Sequence, residues 1–257
     1  MLSVVSPAKK MDFDRSELPQ DHSELDFQKD TKELLKTAKK LKASDLKALM
    51  KISEDLSSLN YERFQGMKFP FTPDNAKQAA FAFAGDTYVG LDAKTLSDKD
   101  LAYAQSHLRI LSGLYGLVKP LDLIQPYRLE MGVRLSNTRG QNLYDFWGDR
   151  LAKKINEELA DHKSKVLINV ASNEYFKAIK RKNLDVEVIT PVFKEVKNDV
   201  AKVIGFSAKR ARGMMARYLT QNRVETPEGL KDFAEAGYKF QPSHSTESEY
   251  QFHRVIS

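Results

Sequence analysis

The stretch His107–Met131, HLRILSGLYGLVKPLDLIQPYRLEM, decides how this chain is read. An amphipathic helix runs into Leu111-Ser112-Gly113-Leu114-Tyr115-Gly116, a short apolar turn pinned by two glycines. Lys119-Pro120 and Tyr127-Arg128-Leu129-Glu130 follow. Helix, glycine hairpin and second apolar segment is the layout of a helix-hairpin-helix, here spanning about residues 98–125. Such an element grips a duplex because its glycines let the chain turn closely and aim backbone N–H groups at a phosphate. The contact reads no base, so it is sequence-independent and weakens with salt. On this reading Ser112, Gly113, Leu114, Tyr115 and Gly116 present the backbone, and Lys119 adds a cation. The usual pattern is apolar-any-Gly-apolar-Gly, whereas this chain carries one more residue between its glycines, and Pro126 cuts the second arm short. A helix C-cap followed by an ordinary turn accounts for the same residues.

Outward from that segment, the chain reads as one mixed α/β (α+β) domain over residues 1–257, a central mixed sheet with flanking helices. Leu2-Ser3-Val4-Val5 is a short buried strand stopped by Ser6-Pro7. Residues from about 16 to 30 are polar and aperiodic and read as a loop. Helices follow to about Gln65, Asp74 to Ala80 reads as another, and Ala82 to Gly90 reads as a strand and a loop. Ser97-Asp98-Lys99-Asp100 has the form of a capping box opening the next helix. Gln141 to Ala160 is mostly helical, and Lys165 to Val170 is a strand with a helix from Asn173 to Ile179 behind it. Val186–Val196 and Val200–Phe206 read as strands joined at Lys197-Asn198-Asp199, before a basic helix capped by Ser207. A last strand pair is expected beyond Gly237.

The sequence has 257 residues, 41% hydrophobic and 30% charged, enough to bury a sizeable core. Mean hydropathy is −0.50, and no apolar run approaches the roughly 20 residues that span a bilayer. A cytoplasmic address is the default. The absence of cysteine excludes disulfides, thiol catalysis and thiolate metal sites. Histidines 22, 107, 162, 244 and 253 show no metal-ligand spacing, so neither a metal nor another cofactor is expected. The formal charge of +6 is modest, and either a solvated basic protein or a polyanion binder carries it. The excess gathers at Lys177–Lys182 and along Ser207–Asn222, where Lys209, Arg210, Arg212 and Arg217 surround an apolar stripe. Lys209, Arg210 and Arg212 are the further candidates for phosphate contact.

Three expected strands end in small polar turns, at Ser6-Pro7-Ala8-Lys9, Asn169 to Asn173 and Ser207-Ala208-Lys209. In α/β folds ligands gather beyond the carboxyl ends of strands. Ser and Asn there also serve as plain helix caps. Lysines near helix starts oppose the helix dipole unless an anion pairs with them. Lys9, Arg128, Glu130, Asn169, Ser172 and Lys209 therefore form a second candidate site, a pocket for a small anionic or nucleotide-like substrate in which Glu130 or a lysine serves as acid–base group.

The chain also resembles the YaaA family of bacterial peroxide stress proteins. The matching stretches are Ser6–Lys9, Gly85–Leu91, Leu108–Met131, Phe146–Asp149, Asn169–Lys177 and Phe206–Tyr218. The resemblance implies an unusual mixed α/β architecture. It also implies a role in limiting free iron, and so hydroxyl-radical damage to DNA, during hydrogen peroxide stress. The partner it implies is double-stranded or structurally distorted DNA, bound through a helix-hairpin-helix and a basic cleft. Carried over, that hairpin falls on Leu111–Gly116.

Overall fold

The computed structural model describes residues 1–14, 18–19 and 21–256; Ser16, Glu17 and Gln20 of the expected loop lie outside them. Among the described residues the main sheet has eight strands. Across it run Lys239–Phe240, Glu249–Val255, Glu187–Lys197, Val166–Val170, Leu2–Val5, Leu108–Ser112 and Gly116–Val118. Val200–Lys202 folds back on the end of Glu187–Lys197 as a hairpin. Its two turn residues, Asn198 and Asp199, both hold positive φ, the conformation a tight two-residue turn demands.

Leu2–Val5 lies at the centre, parallel to Leu108–Ser112 on one side and to Val166–Val170 on the other. It is buried along its whole length, as an apolar run covered on both faces must be. The helices Asp98–His107 and Gly205–Gln221 pack near one another over one face. Arg150–Ala160 approaches from the other, where Glu158 takes a 2.8 Å hydrogen bond from Arg109 of Leu108–Ser112. The helix Asp98–His107 opens with the capping box its sequence announced, Ser97 and Asp100 bonding each other's backbone amides.

The glycine segment differs from its expected form. The helix stops at His107, and both arms that follow are strands: Ile110, Leu111 and Ser112 pair antiparallel with Val118, Leu117 and Gly116. The helix-hairpin-helix over about 98–125 is thus corrected to a helix and a β-hairpin. Every residue from Leu108 to Val118 is buried. The glycines are there for packing. A Cβ on Gly113 would lie 2.2 Å from the Leu129 carbonyl oxygen, and one on Gly116 would lie 2.6 Å from the Trp147 ring. Gly116 also holds φ +77°, and the Trp147 indole donates to the Gly113 carbonyl at 3.0 Å. Ser112, Gly113, Leu114, Tyr115 and Gly116 are therefore walled off from any external phosphate.

Lys119 is committed as well. Its ammonium pairs with Asp26 at 3.0 Å, and its amide donates to Asp122 at 2.8 Å. Asp122 is fully buried and also accepts from Ser23 at 2.6 Å. Burial pushes its carboxyl up to about 6, outweighing the hydrogen bonds from Ser23 and the Lys119 amide.

Other local differences have local causes. The expected helix over Asp74–Ala80 is a two-residue strand, Lys77–Gln78, then a short helix, Ala79–Ala82, because Lys77–Gln78 pairs with Leu123–Ile124. Within the polar stretch from about 16 to 30, helix already begins at Gln28. Asp86–Leu91 is a helix rather than strand and loop. The strand from Val200 ends at Lys202, and the basic helix begins at Gly205, so Ser207 lies inside it and accepts from Arg254 at 3.2 Å instead of capping. The expected strand pair near the end of the chain is present as Lys239–Phe240 against Glu249–Val255.

The helices Asp86–Leu91 and Gly205–Gln221 touch backbone to backbone. A Cβ on Gly213 would lie 1.8 Å from the Thr87 carbonyl oxygen, and one on Gly90 would lie 2.1 Å from that of Arg210. Gly213→Ala should cost about 3 kcal/mol or more, since no side-chain movement can relieve a backbone clash; an unchanged denaturation midpoint would contradict this packing. A second expectation concerns Asp122, whose raised folded pKa makes stability highest below the unfolded value and lowers it as pH rises to about 6. Asp122→Asn does not titrate. Relative to that variant, the wild type should lose on the order of 3 kcal/mol at most between pH 4 and pH 7, read by urea denaturation.

Candidate anion-binding pocket

Because Leu2–Val5 and Val166–Val170 are parallel and in register, Val5 opposite Val170, their following turns meet at one edge of the sheet. The Ser172 amide donates to Ser6 Oγ at 2.8 Å, and Ser6 Oγ donates in turn to Ser172 Oγ at 3.3 Å. The buried Tyr88 hydroxyl donates to the Ser6 carbonyl at 3.1 Å. These bonds shape the floor of a cavity of about 290 Å³. Ser6–Lys10 and Val170–Tyr175 supply two sides, and Ala84–Thr87 a third. Lys209 and Arg212 come in from the long helix, whose crossing at Gly90 and Gly213 brings them beside Asp86 and Thr87.

The polar groups differ in how they are satisfied. Arg212 is half-buried, and burial lowers its pKa from the usual arginine value. Among the described residues it makes no hydrogen bond and no ion pair. Lys209 is exposed at the rim. Beneath the Pro7–Lys9 turn a narrow crevice adjoins the cavity, lined by Tyr127, Arg128, Leu129 and Glu130, with Tyr175 shared by both. Lys9 Nζ lies 2.6 Å from Glu130 Oε1, and Arg128 reaches the same oxygen at 3.2 Å. Arg128 Nε is buried with no hydrogen-bond partner among the described residues. Burial also raises the pKa values of Tyr88, Tyr127 and Tyr175, so these phenols stay protonated, with Tyr127 bonded to Ser112 at 2.6 Å.

Of the residues expected in a pocket, the structure brings Lys9, Ser172 and Lys209 to the cavity and Arg128 and Glu130 to the crevice beside it. Asn169 faces elsewhere: it is buried, bonds Thr190 at 3.3 Å and accepts from the Ala171 amide at 3.1 Å, shaping the turn. Lys9 does not stand at a helix start, since Lys10–Met11 is a two-residue strand. Of the residues expected to meet DNA, Arg212 faces the cavity, while Arg210 is exposed beside a separate groove next to Phe206 and Tyr238. Asp86, Thr87, Glu174 and Tyr175 were not anticipated. An acidic residue following Gly85 is a helix-start signal that the strand reading passed over. The histidines, distant in sequence, pair in space: His107 with His162 at 4.7 Å between ring centroids, and His244 with His253 at 5.1 Å. Among the described residues no cluster of three or more candidate metal ligands is present, and no helix is long and apolar enough to cross a membrane.

The architecture defines a class: an α/β protein whose pocket opens beyond the carboxyl ends of parallel strands, with uncompensated basic groups in its wall. Its sequence places it further. The family model described as peroxide stress protein YaaA matches residues 1–244, and the chain belongs to that family. Similar proteins include UPF0246 proteins of Shewanella sp. W3-18-1 and of Shewanella putrefaciens, each 54% identical over 254 residues and 99% of both chains. Another, from Alteromonas mediterranea, is 52% identical over 255 residues, covering 99% of this chain and 98% of its own. The family assigns the protein a role in peroxide stress.

Ser6→Ala removes the acceptor of the Ser172 amide and the link between the two central turns. It should lower stability by about 1 kcal/mol, the cost of leaving a partly buried amide unpaired. Chemical denaturation checks this, and a loss below a few tenths would mean that the turns hold without that bond.

Proposed function

We propose that the protein serves the peroxide response by binding a small phosphate-bearing, nucleotide-like molecule in the cavity beside Ser6, Ser172 and Arg212. The observation that carries this is Arg212, a half-buried residue facing the cavity whose charge has no protein partner among the described residues. Removing a charge from water without pairing it is costly, and an anionic ligand restores the missing interaction. Lys209 stands three positions earlier on the same helix, so both cations reach toward the cavity. The volume of about 290 Å³ lies just below the roughly 300–1,000 Å³ typical of drug-sized ligand sites, which suits a small ligand. Pro7, Val170 and Tyr175 give an apolar wall for a ring. Lys9 and Glu130 at the edge supply the acid–base pair that turnover of the ligand would need.

Contact with duplex or distorted DNA is the second reading, and Lys209 and Arg210, exposed at and beside the rim, favour it. The buried glycine hairpin does not contribute to it. Sequence-independent attraction there weakens steeply with salt, while binding inside the cavity responds less because the ligand is shielded.

Calorimetric titration with inorganic phosphate and adenosine monophosphate separates the readings. Arg212→Met should weaken both ligands by about tenfold or more, as expected for loss of a charge-assisted hydrogen bond. Failure of the wild type to bind either, or equal affinity in a folded Arg212→Met, overturns the pocket reading. Duplex binding that survives Arg212→Met and disappears when Lys209 and Arg210 are neutralised assigns the contact to the rim.

A further inference from the structure

The crevice beneath the Pro7–Lys9 turn carries an unfilled requirement of its own. Arg128 is largely enclosed, with 16% of its side chain exposed, and bonds Glu130 through its terminal Nη2. Its Nε–H is buried without an acceptor among the described residues. A buried N–H donor is costly to leave unpaired, and this one points to an acceptor that the described residues do not supply. The carboxylate oxygen beside it, Glu130 Oε1, is already shared between Arg128 and Lys9. Glu130 therefore leaves one cation of this trio uncompensated.

The crevice and the cavity share a wall. Pro7, Ala8, Lys9 and Tyr175 line both. Together they are lined by five basic side chains, Lys9, Lys10, Arg128, Lys209 and Arg212, against three carboxylates, Asp86, Glu130 and Glu174. The cationic excess is thus divided between two positions, Arg212 on one side of the Pro7–Lys9 turn and Arg128 on the other. Lys9 is the movable part. Two-thirds of its side chain is exposed, at 66%, and with its ammonium on Glu130 the crevice has a volume of only about 10 Å³. Surface ammonium groups exchange partners at little cost.

We infer that the ligand has two anionic ends, a phosphate held at Arg212 and Lys209 and a second phosphate or carboxylate that enters the crevice as Lys9 swings away from Glu130 and is held by Arg128. This rests on the pocket reading above and narrows it to bis-anionic small molecules. The second anion gives Arg128 Nε its acceptor, and Lys9 transfers from Glu130 to the ligand, so no charge is left alone.

The test is calorimetric titration of the full-length protein with inorganic phosphate, pyrophosphate and phosphoglycolate. At least one two-ended probe should bind about tenfold or more tightly than phosphate, the gain of one charge-assisted contact. Arg128→Gln should remove most of that gain while changing phosphate affinity far less. Arg128→Lys, which keeps the charge beside Glu130 but lacks Nε, should retain only part of it, and it decides the question if the glutamine variant does not fold. If phosphate binds but neither two-ended probe binds better, or if Arg128→Gln weakens all three alike, the second subsite is wrong and the pocket stands. If phosphate and both two-ended probes fail to bind, the pocket reading and this inference fall together.

Discussion

Burial of Leu2–Val5 between two parallel neighbours is the constraint on which the rest depends. A strand buried on both faces and paired on both edges has no freedom of register, because every backbone group already has a partner and every side chain a neighbour. Its exit at Ser6 is therefore fixed to within a hydrogen bond of the exit of Val166–Val170 at Ser172. Helices on either face then hold the sheet, and the turns at its carboxyl edge receive side chains from segments far apart in sequence. The pocket is thus a consequence of the sheet rather than an addition to it.

Much of this was legible in the residues. The apolar run Leu2–Val5 ending at Ser6-Pro7, the capping box at Ser97–Asp100 and the turn at Asn198-Asp199 each carry their own local chemistry, and the elements lie where that chemistry puts them. Lys9 and Ser172 reach the cavity as the rule for polar turns after parallel strands has it, whereas Lys209 arrives from within a helix, and Arg128 and Glu130 reach the adjoining crevice from an irregular segment. Asn169 fitted the same rule by residue type. Its side-chain partner, Thr190, lies on a neighbouring strand, and that pairing is invisible before the sheet order is known.

The glycine hairpin shows how a local pattern misleads. Two glycines flanked by leucines suit both a backbone turned outward toward phosphate and a backbone pressed inward against neighbours. The difference lies in Trp147 and in the Leu129 carbonyl, which approach from elsewhere in the chain. Leu108 to Ser112 also reads as the continuation of an amphipathic helix, because five buried residues in a row satisfy either period. Pairing with Leu2–Val5 decides in favour of a strand, and that long-range term outweighs helix propensity. Gly90 and Gly213 carried no signal at all, since their significance is that they face each other.

That last contact bears on how the pocket treats what enters it. Two helices joined through their main chains cannot slide or part by small rotamer changes, so Asp86, Thr87, Lys209 and Arg212 move as one piece. Opposite them, the turns at Ser6 and Ser172 are held by the central strands. The walls on both sides are stiff, and the span between them is set before any ligand arrives. On the pocket reading proposed above, such a site would act as a gauge: it would discriminate by length and charge spacing and gain affinity because little order is lost on binding, with the exposed lysines at its rim as the adjustable parts.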